Sequence, residues 1–345
     1  MSRTILPPEW APQSGVMMTW PHQNSDWRNV LHEVEPVYIN IARHITPREM
    51  LLINCRDQNL IDHVKACLHS ANIDLNKVIF SIVDSNDTWT RDYGPLTVLK
   101  DGSPYMLDFT FNGWGGKFDA GLDNQVTRHL HRSGEFGRTP LDGVDMVLEG
   151  GSIEVDGQGN LLTTAQCLLA PTRNPELDRQ EIEARLRLWF GVTNVIWLEH
   201  GHLRGDDTDS HIDTLARFCD PHTIAYVACD KPEDEHYSGL RQMETELRTC
   251  RNNDGEPYRL VPLPWPGPKF DSDDGRRLAA SYANFLIING AVLVPTYDDP
   301  ADDVALQRLQ PCFPDREVIG IPCLPLIRQN GSLHCITMQI PAGVL

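Results

Sequence analysis

The sequence predicts an α/β fold, and three observations carry that assignment. Short apolar or alternating runs recur along the chain, several of them apolar without a break, as in strands buried on both faces. Amphipathic helical patterns lie between groups of these runs, which favours α/β layers over a sandwich or a bundle. The groups return at intervals of several dozen residues with no readable residue-level repeat, so the architecture is expected to repeat internally. No low-complexity linker interrupts the chain, and the Pro-rich stretch Val261–Lys269 reads as a surface loop. Residues 1–345 are therefore expected to form one domain.

Taken in order, strands are expected at Val16–Trp20, Met50–Cys55, Val78–Val83, Leu96–Leu99, Tyr105–Phe111, Met146–Val155 and Leu161–Ala170. They continue at Asn194–Leu198, Thr223–Cys229, Arg259–Pro262, Asn284–Pro295, Glu317–Ile321 and His334–Ile340. Among the helices, Asn29–His44 places Val30, Val34, Val37, Tyr38 and Ile41 at helical spacing, with Pro36 a candidate kink. Asn59–His69 follows, and then Asp178–Phe190, which has Gly191 as its stop signal. Glu233–Arg251 is long and mixed in charge. Asp299-Pro300 supplies a cap followed by proline at the first helical position, opening a helix to about Leu309.

Composition narrows the function classes. With 48 acidic against 30 basic residues the formal charge is −18. That argues against nucleic acid or anionic membrane as partner and suits a cationic ligand, although solubility alone accounts for acidity equally well. The N-terminus lacks the apolar core of a signal peptide, and no run approaches the ~18 apolar residues of a membrane helix. Nine cysteines, an odd number with no CxxC pair, fit neither a disulfide framework nor a structural zinc site. A reduced, cytoplasmic setting is expected.

Five segments carry candidate chemistry. Ser85-Asn-Asp-Thr-Trp-Thr-Arg-Asp-Tyr-Gly-Pro95 follows a strand, where α/β proteins place ligand groups. Asp92 there can bind a cation while Trp89 offers an aromatic wall; a surface turn at Arg91–Asp92 with Trp89 in the core is the plainer alternative. Asp108-Phe-Thr-Phe-Asn-Gly-Trp-Gly-Gly-Lys117 is a strand ending in a glycine-rich turn without phosphate-loop spacing. Glu149 lies in an apolar strand pattern before two glycines, where an unpaired carboxylate is costly; Glu154 reads equally as a solvent residue. His200-Gly-His-Leu-Arg-Gly-Asp-Asp-Thr-Asp-Ser-His-Ile-Asp213 is dense in metal-ligating types. Its alternative is acid/base chemistry by His211 with Asp213 beside it, both on one face of a strand. Cys335 sits at the mouth of the last strand, one thiol among nine; most free cysteines are inert core fillers.

A thiol, an imidazole and several carboxylates suit a guanidinium better than a peptide. That cation is planar and rich in N–H donors, and carboxylates grip it by paired hydrogen bonds while a thiolate attacks its carbon.

Trp20-Pro21, Trp89-Thr-Arg-Asp-Tyr-Gly-Pro95, Phe111-Asn-Gly-Trp-Gly-Gly-Lys117 and Glu149-Gly-Gly-Ser152 occur in this order. Arg173-Asn-Pro175, Gly205-Asp-Asp-Thr-Asp-Ser-His-Ile-Asp213, Ser281-Tyr-Ala-Asn-Phe285 and His334-Cys-Ile-Thr337 follow them. Over nearly its whole length the chain thereby resembles the agmatine deiminase and bacterial peptidyl-arginine deiminase-like group of guanidine-modifying enzymes, the penteins. The resemblance implies a five-bladed α/β propeller with pseudo-fivefold ββαβ repeats and a central active site. It implies Cys335 as nucleophile and His211 as general acid/base. Glu149, Asp92 and Asp213 would bind the guanidinium, Glu149 also orienting His211, and Trp89 would line the channel. No metal or organic cofactor is required. The family's triple glycine before His-Cys is reduced to Gly331, its glycine before the histidine is Ser210, and its asparagine after the aspartate is Thr214.

Hydrolytic deimination of agmatine is the expected reaction, through a covalent thiouronium on Cys335. Free or peptidyl arginine, other guanidino compounds, and transfer of the amidino group to an amine are the alternatives. A metal-binding or non-catalytic guanidine-binding protein is the reading from another class. Family habit makes a homo-oligomer plausible.

Overall fold

The computed structural model describes residues 3–345. Among them the strands form six sheets, and five of these share one plan. In each, an antiparallel pair is followed across a helix by a third strand that adds in parallel to the second, the crossover that a parallel neighbour requires. Leu96–Lys100 and Ser103–Thr110 are followed by helix Asp123–Ser133 and strand Leu141–Val147. Ile153–Val155 and Asn160–Thr164 are followed by Arg179–Phe190 and Asn194–Leu198. Ala216–Asp220 and Thr223–Val227 are followed by Tyr237–Thr249 and Arg259–Leu263. Leu286–Ile288 and Ala291–Thr296 are followed by Asp302–Leu309 and Glu317–Pro322. The remaining sheet joins distant parts of the chain. Thr337–Pro341 pairs antiparallel with Gln13–Thr19, which leads through Leu31–Ile45 to Met50–Cys55.

The middle strands are the most buried, as parallel neighbours covered on both faces should be. Val16, Met17, Met18, Leu51, Leu52, Ile53 and Val292–Val294 are all fully buried. Pro36 stands within Leu31–Ile45 without ending it. Its missing N–H would have bonded the residue four earlier, in the first turn, so little of the ladder is lost. Among the described residues no helix is long and apolar enough to cross a membrane.

Several sequence expectations are redrawn. Met146–Val155 is not one strand; Leu141–Val147 ends before a 3-10 turn at Gly150–Ser152, and Ile153–Val155 starts the next sheet. Leu161–Ala170 stops at Thr164, whose hydroxyl accepts from the Cys167 N–H at 3.3 Å and caps a helical turn. Asn284–Pro295 is a hairpin turning at Asn289-Gly290, with Gly290 at φ +72. Two of the longer elements have no sequence expectation, as do the two-residue strands Thr4–Ile5, Lys269–Phe270 and Arg277–Leu278. Ala216–Asp220 carries Arg217 in its interior, and helix Asp123–Ser133 shows only a thin apolar stripe of Val126 and Leu130.

One helix fixes the N-terminal segment that later proves relevant to the site. Arg179–Phe190 begins with a capping box in which Asp178 and Glu181 each accept the other's backbone N–H at 2.9 Å. It ends at Gly191, φ +69, and the Phe190 carbonyl accepts from Leu6 N at 3.0 Å. A Cβ on Gly191 would stand 1.8 Å from the Thr4 carbonyl oxygen. Gly191→Ala should therefore lose about 1–3 kcal/mol through backbone strain and displacement of the strand at Thr4–Ile5. Urea unfolding measures this, and an unchanged midpoint would refute it.

Candidate active site

A cavity of about 300 Å³ is lined by Trp89, Asp92, Trp114, Thr214, Gly331 and Cys335 among others. Each functional side chain comes from a short connection at a strand end, where backbone can turn and side chains can converge. Cys335 lies just before Thr337–Pro341, and its carbonyl accepts from Arg91 N at 3.1 Å. Its Sγ is 3.3 Å from Asn284 Nδ2 and 3.7 Å from Asp213 Oδ2. Burial, with the Asp213 and Asp92 charges, pushes the thiol well above its ordinary pKa.

Asp92 sits in the single helical turn Thr90–Tyr93. Its Oδ1 accepts from Gly151 N at 3.0 Å and its Oδ2 from Trp114 Nε1 at 2.9 Å. Burial raises its pKa well above the usual range, as do Asp213 and Glu149 nearby. Glu149 is fully buried and accepts from Arg173 Nε at 3.1 Å. Burial raises Glu149 too, with Arg173 opposing. Arg173 is fixed in turn by Asp209 and by the Thr208 carbonyl at 2.9 Å. Asp213 Oδ2 accepts from His334 Nδ1 at 2.8 Å. Burial works against the ionised Asp213, yet His334, His211 and Arg217 hold its carboxyl below the ordinary value.

His211 completes the set, with Nδ1 3.6 Å from Asp92 Oδ1 and a pKa pushed down to about 4 by burial. Neither ring nitrogen has a hydrogen-bond partner, and neither do Glu149 Oε2 and Asp213 Oδ1. Buried polar atoms are ordinarily paired, so a cluster of orphan acceptors calls for a donor-rich ligand. Gly151 stands beside this cluster, with one of the unpaired atoms, His211 Nδ1, nearest to it. A Cβ there would lie 2.7 Å from His211 Nδ1, 2.8 Å from Asp92 Oδ1 and 3.1 Å from Asp213 Oδ2.

Trp89 stands at the wall, its Nε1 donating to Asp87 Oδ2 at 3.1 Å and its ring edge-on to Trp114 at 6.4 Å. Gly331 packs directly on it; a Cβ would be 2.1 Å from the Trp89 ring. The one glycine retained from the family's triplet is thus the one for which the indole leaves no room.

The structure corrects three readings. His211 and Asp213 are not on a strand: His211 caps the 3-10 turn Ile212–Thr214, which still brings both to the site. Arg91 and Asp92 are buried, so this is no surface turn. Glu154 is buried and paired with Arg217 rather than solvated. Ser210 takes φ +67, a left-handed conformation that glycine adopts without strain, in keeping with the glycine expected there from the family resemblance.

Glu149, Cys167 and His211 place ligating atoms within 4.8 Å of one another. A divalent cation fits poorly, because the Arg173 guanidinium already bonds Glu149 and supplies the local positive charge.

The sequence matches the Porphyromonas-type peptidyl-arginine deiminase family over residues 5–341. The chain belongs to this family. Agmatine deiminase of Pseudomonas syringae pv. tomato is 36% identical over 360 residues, covering 98% of this chain and 95% of that protein. A C. jejuni agmatine deiminase variant, cysteine replaced by serine and substrate bound, superposes with a TM-score of 0.91 at 39% identity, covering 100% and 98% of the two chains. A Porphyromonas gingivalis structure, described provisionally as an arginine deiminase, gives 0.92 at 50% identity, covering 99% and 100%. The mixed α/β fold is the one these family members share.

Arg173, Asn284 and His334 contact the site residues but had no role in the sequence reading. The available signal was their place inside the family's motifs. If Gly151 is the floor of the ligand site, Gly151→Ala should lower kcat/KM by at least ~10²-fold through misplacement at the reacting centre. The melting temperature should stay within a few degrees, as about 1 kcal/mol implies for a protein of this size. Steady-state kinetics beside calorimetry decides it; full activity would show that the three atoms do not frame the substrate.

Proposed function

We propose that the protein is a hydrolase of linear amidines that deiminates a small guanidine, agmatine above all, releasing N-carbamoylputrescine and ammonia. The observation that supports this reading is the cluster of unpaired buried acceptors around a thiol. Asp92, Asp213 and Glu149 present carboxylate oxygens to a planar cation with N–H donors at its rim, while Cys335 faces its carbon.

In the reading proposed, the arriving guanidinium offsets the Asp213 and Asp92 charges that keep the resting thiol protonated, and Cys335 ionises. The thiolate adds to the guanidinium carbon, forming the C–S bond and a tetrahedral intermediate. Its amino group takes a proton from His211, which has received the one that left the thiol, and departs as ammonia. A thiouronium remains on Cys335. His211 then removes a proton from water, whose oxygen attacks the same carbon. The C–S bond breaks as the carbonyl forms, the hydroxyl proton passes to the departing sulfur to restore the thiol, a ureido product leaves, and His211 releases its proton to solvent. The low pKa of His211 keeps it a neutral base before the thiol ionises and again before water attacks. Glu149 and Arg173 fix the wall beside it.

The far end of the cavity favours an amine over an α-carboxylate. Seven of its lining residues are aspartates, at 26, 87, 92, 119, 123, 206 and 207, and none is Lys or Arg. Within the same proposal, the five sheets of common plan close as a five-bladed propeller, and residues 1–345 act as one catalytic domain with these side chains on its axis.

Cys335→Ser should lower ammonia release by at least ~10⁴-fold, the scale on which nucleophile removal acts. Retained turnover would sink the assignment. In a panel of agmatine, arginine, arginyl peptides and an acceptor amine, agmatine should show the highest kcat/KM and a ureido product. Preference for arginine, or amidine transfer to the amine, would instead select one of the alternatives.

A further inference from the structure

Beneath Cys335 lies a buried polar network that the reaction as described does not use. Its organising residue is Glu9, from the N-terminal segment anchored by Leu6 and Phe190. Glu9 Oε1 is 2.8 Å from His334 Nε2 and 3.3 Å from Arg91 Nη1. Its Oε2 accepts from Gln339 Nε2 at 2.8 Å and from Arg217 Nη2. On the other side of the ring, His334 Nδ1 is 2.8 Å from Asp213 Oδ2, the oxygen nearest the Cys335 sulfur. The backbone of His334 is locked as well, its N–H donating to Asn284 Oδ1 at 2.9 Å.

We propose that Glu9 is a positioning residue of the reaction, which through His334 holds Asp213 ionised and aimed at the substrate guanidinium. This rests on the reading of Asp213 as a guanidinium ligand.

A carboxylate oxygen 2.8 Å from each ring nitrogen is the arrangement a doubly protonated ring requires, and the proposal takes His334 as that imidazolium. Arg217 Nη2 bonds Glu9 and also lies 3.1 Å from His334 Nε2, while Nη1 bonds the carbonyls of Ala283 at 3.2 Å and Phe285 at 2.8 Å. Burial, Arg217 and Arg91 lower the His334 pKa, and Glu9 and Asp213 offset them in part. The charged ring therefore depends on both carboxylates. Glu9 can serve because burial, which opposes its ionisation, is outweighed by Arg217, His334 and Arg91, leaving its pKa well below the ordinary value. Partners of this kind behind a ligand are worth about 10–100-fold when removed.

Glu9→Gln converts the ring to its neutral form and removes the positive charge from Asp213. The Asp213 pKa then rises, so the acid limb of the kcat/KM profile should move to higher pH. KM for agmatine should rise about 10–100-fold, with kcat changed less. Glu154→Gln serves as control, because it removes the other carboxylate on Arg217 without touching His334. It should leave the acid limb in place. An unmoved limb in Glu9→Gln, or the same shift in both variants, would overturn the proposal. Should Glu9→Gln fail to fold, ¹⁵N NMR of selectively labelled native protein decides. Two protonated nitrogens on His334 at neutral pH support the proposal, and a neutral ring overturns it. Cys335→Ser separates the levels: if it is inactive while Glu9→Gln is unaffected, the relay alone is wrong, and if it stays active the site reading itself fails.

Discussion

Asp92, Asp213 and Glu149 are held out of water beside a thiol, and each is stabilised there by a specific donor set. Trp114 and the Gly151 amide serve Asp92, Arg173 serves Glu149, and His334 serves Asp213. Burial still outweighs the donors at Asp92 and Glu149, whose pKa values are raised, whereas His334, His211 and Arg217 keep Asp213 below the ordinary value. The donors are incomplete by design of the packing: one oxygen each of Glu149 and Asp213 and both nitrogens of His211 stay open. On the reading proposed, a substrate rich in N–H groups closes that deficit and brings the charge that ionises Cys335. Binding and activation of the nucleophile then become one electrostatic event.

The polarity of the wider cavity follows the same constraint. None of its six outer aspartates makes a salt bridge among the described residues, and burial, reinforced by Asp26, raises Asp87 to about 7. A lining rich in carboxyl groups and without Lys or Arg favours a cationic end group over a second carboxylate, and burial holds Asp123, Asp206 and Asp207 above the ordinary range as well. Family membership leaves agmatine and arginine both open. The cavity separates them, because an arginine site would need a basic group where this one has aspartates.

Much of this was legible in the chain. The recurring apolar runs gave the α/β class, and Cys335, His211, Glu149, Asp92, Asp213 and Trp89 were named from motifs; the structure brings all six to one place. What sequence could not show is which charges pair across distance. Glu154 looked as solvent-exposed as any strand-end glutamate until Arg217, 63 positions later, reached it. Glu9 reads as a polar residue between prolines and a tryptophan. Periodicity also misplaced His211 and Asp213, since a turn of three residues leaves no period to detect. The glycine pattern misled in a more instructive way. Two of the family's three expected glycines are missing before His334, yet Gly331 is kept where a Cβ would strike the Trp89 ring.

The sheet that joins Thr337–Pro341 to Gln13–Thr19 has a consequence for biosynthesis. Asp92, Glu149, His211 and Asp213 all leave the ribosome before Cys335, and the strand Gln13–Thr19 must wait for its antiparallel neighbour until nearly all the chain has been made. A nascent chain therefore lacks the cavity wall at Gln329–Gly331 as well as Cys335 until its last residues emerge. On the reading proposed, chemistry becomes available only with the pairing that completes the last sheet, so placement of the thiol and completion of the fold coincide.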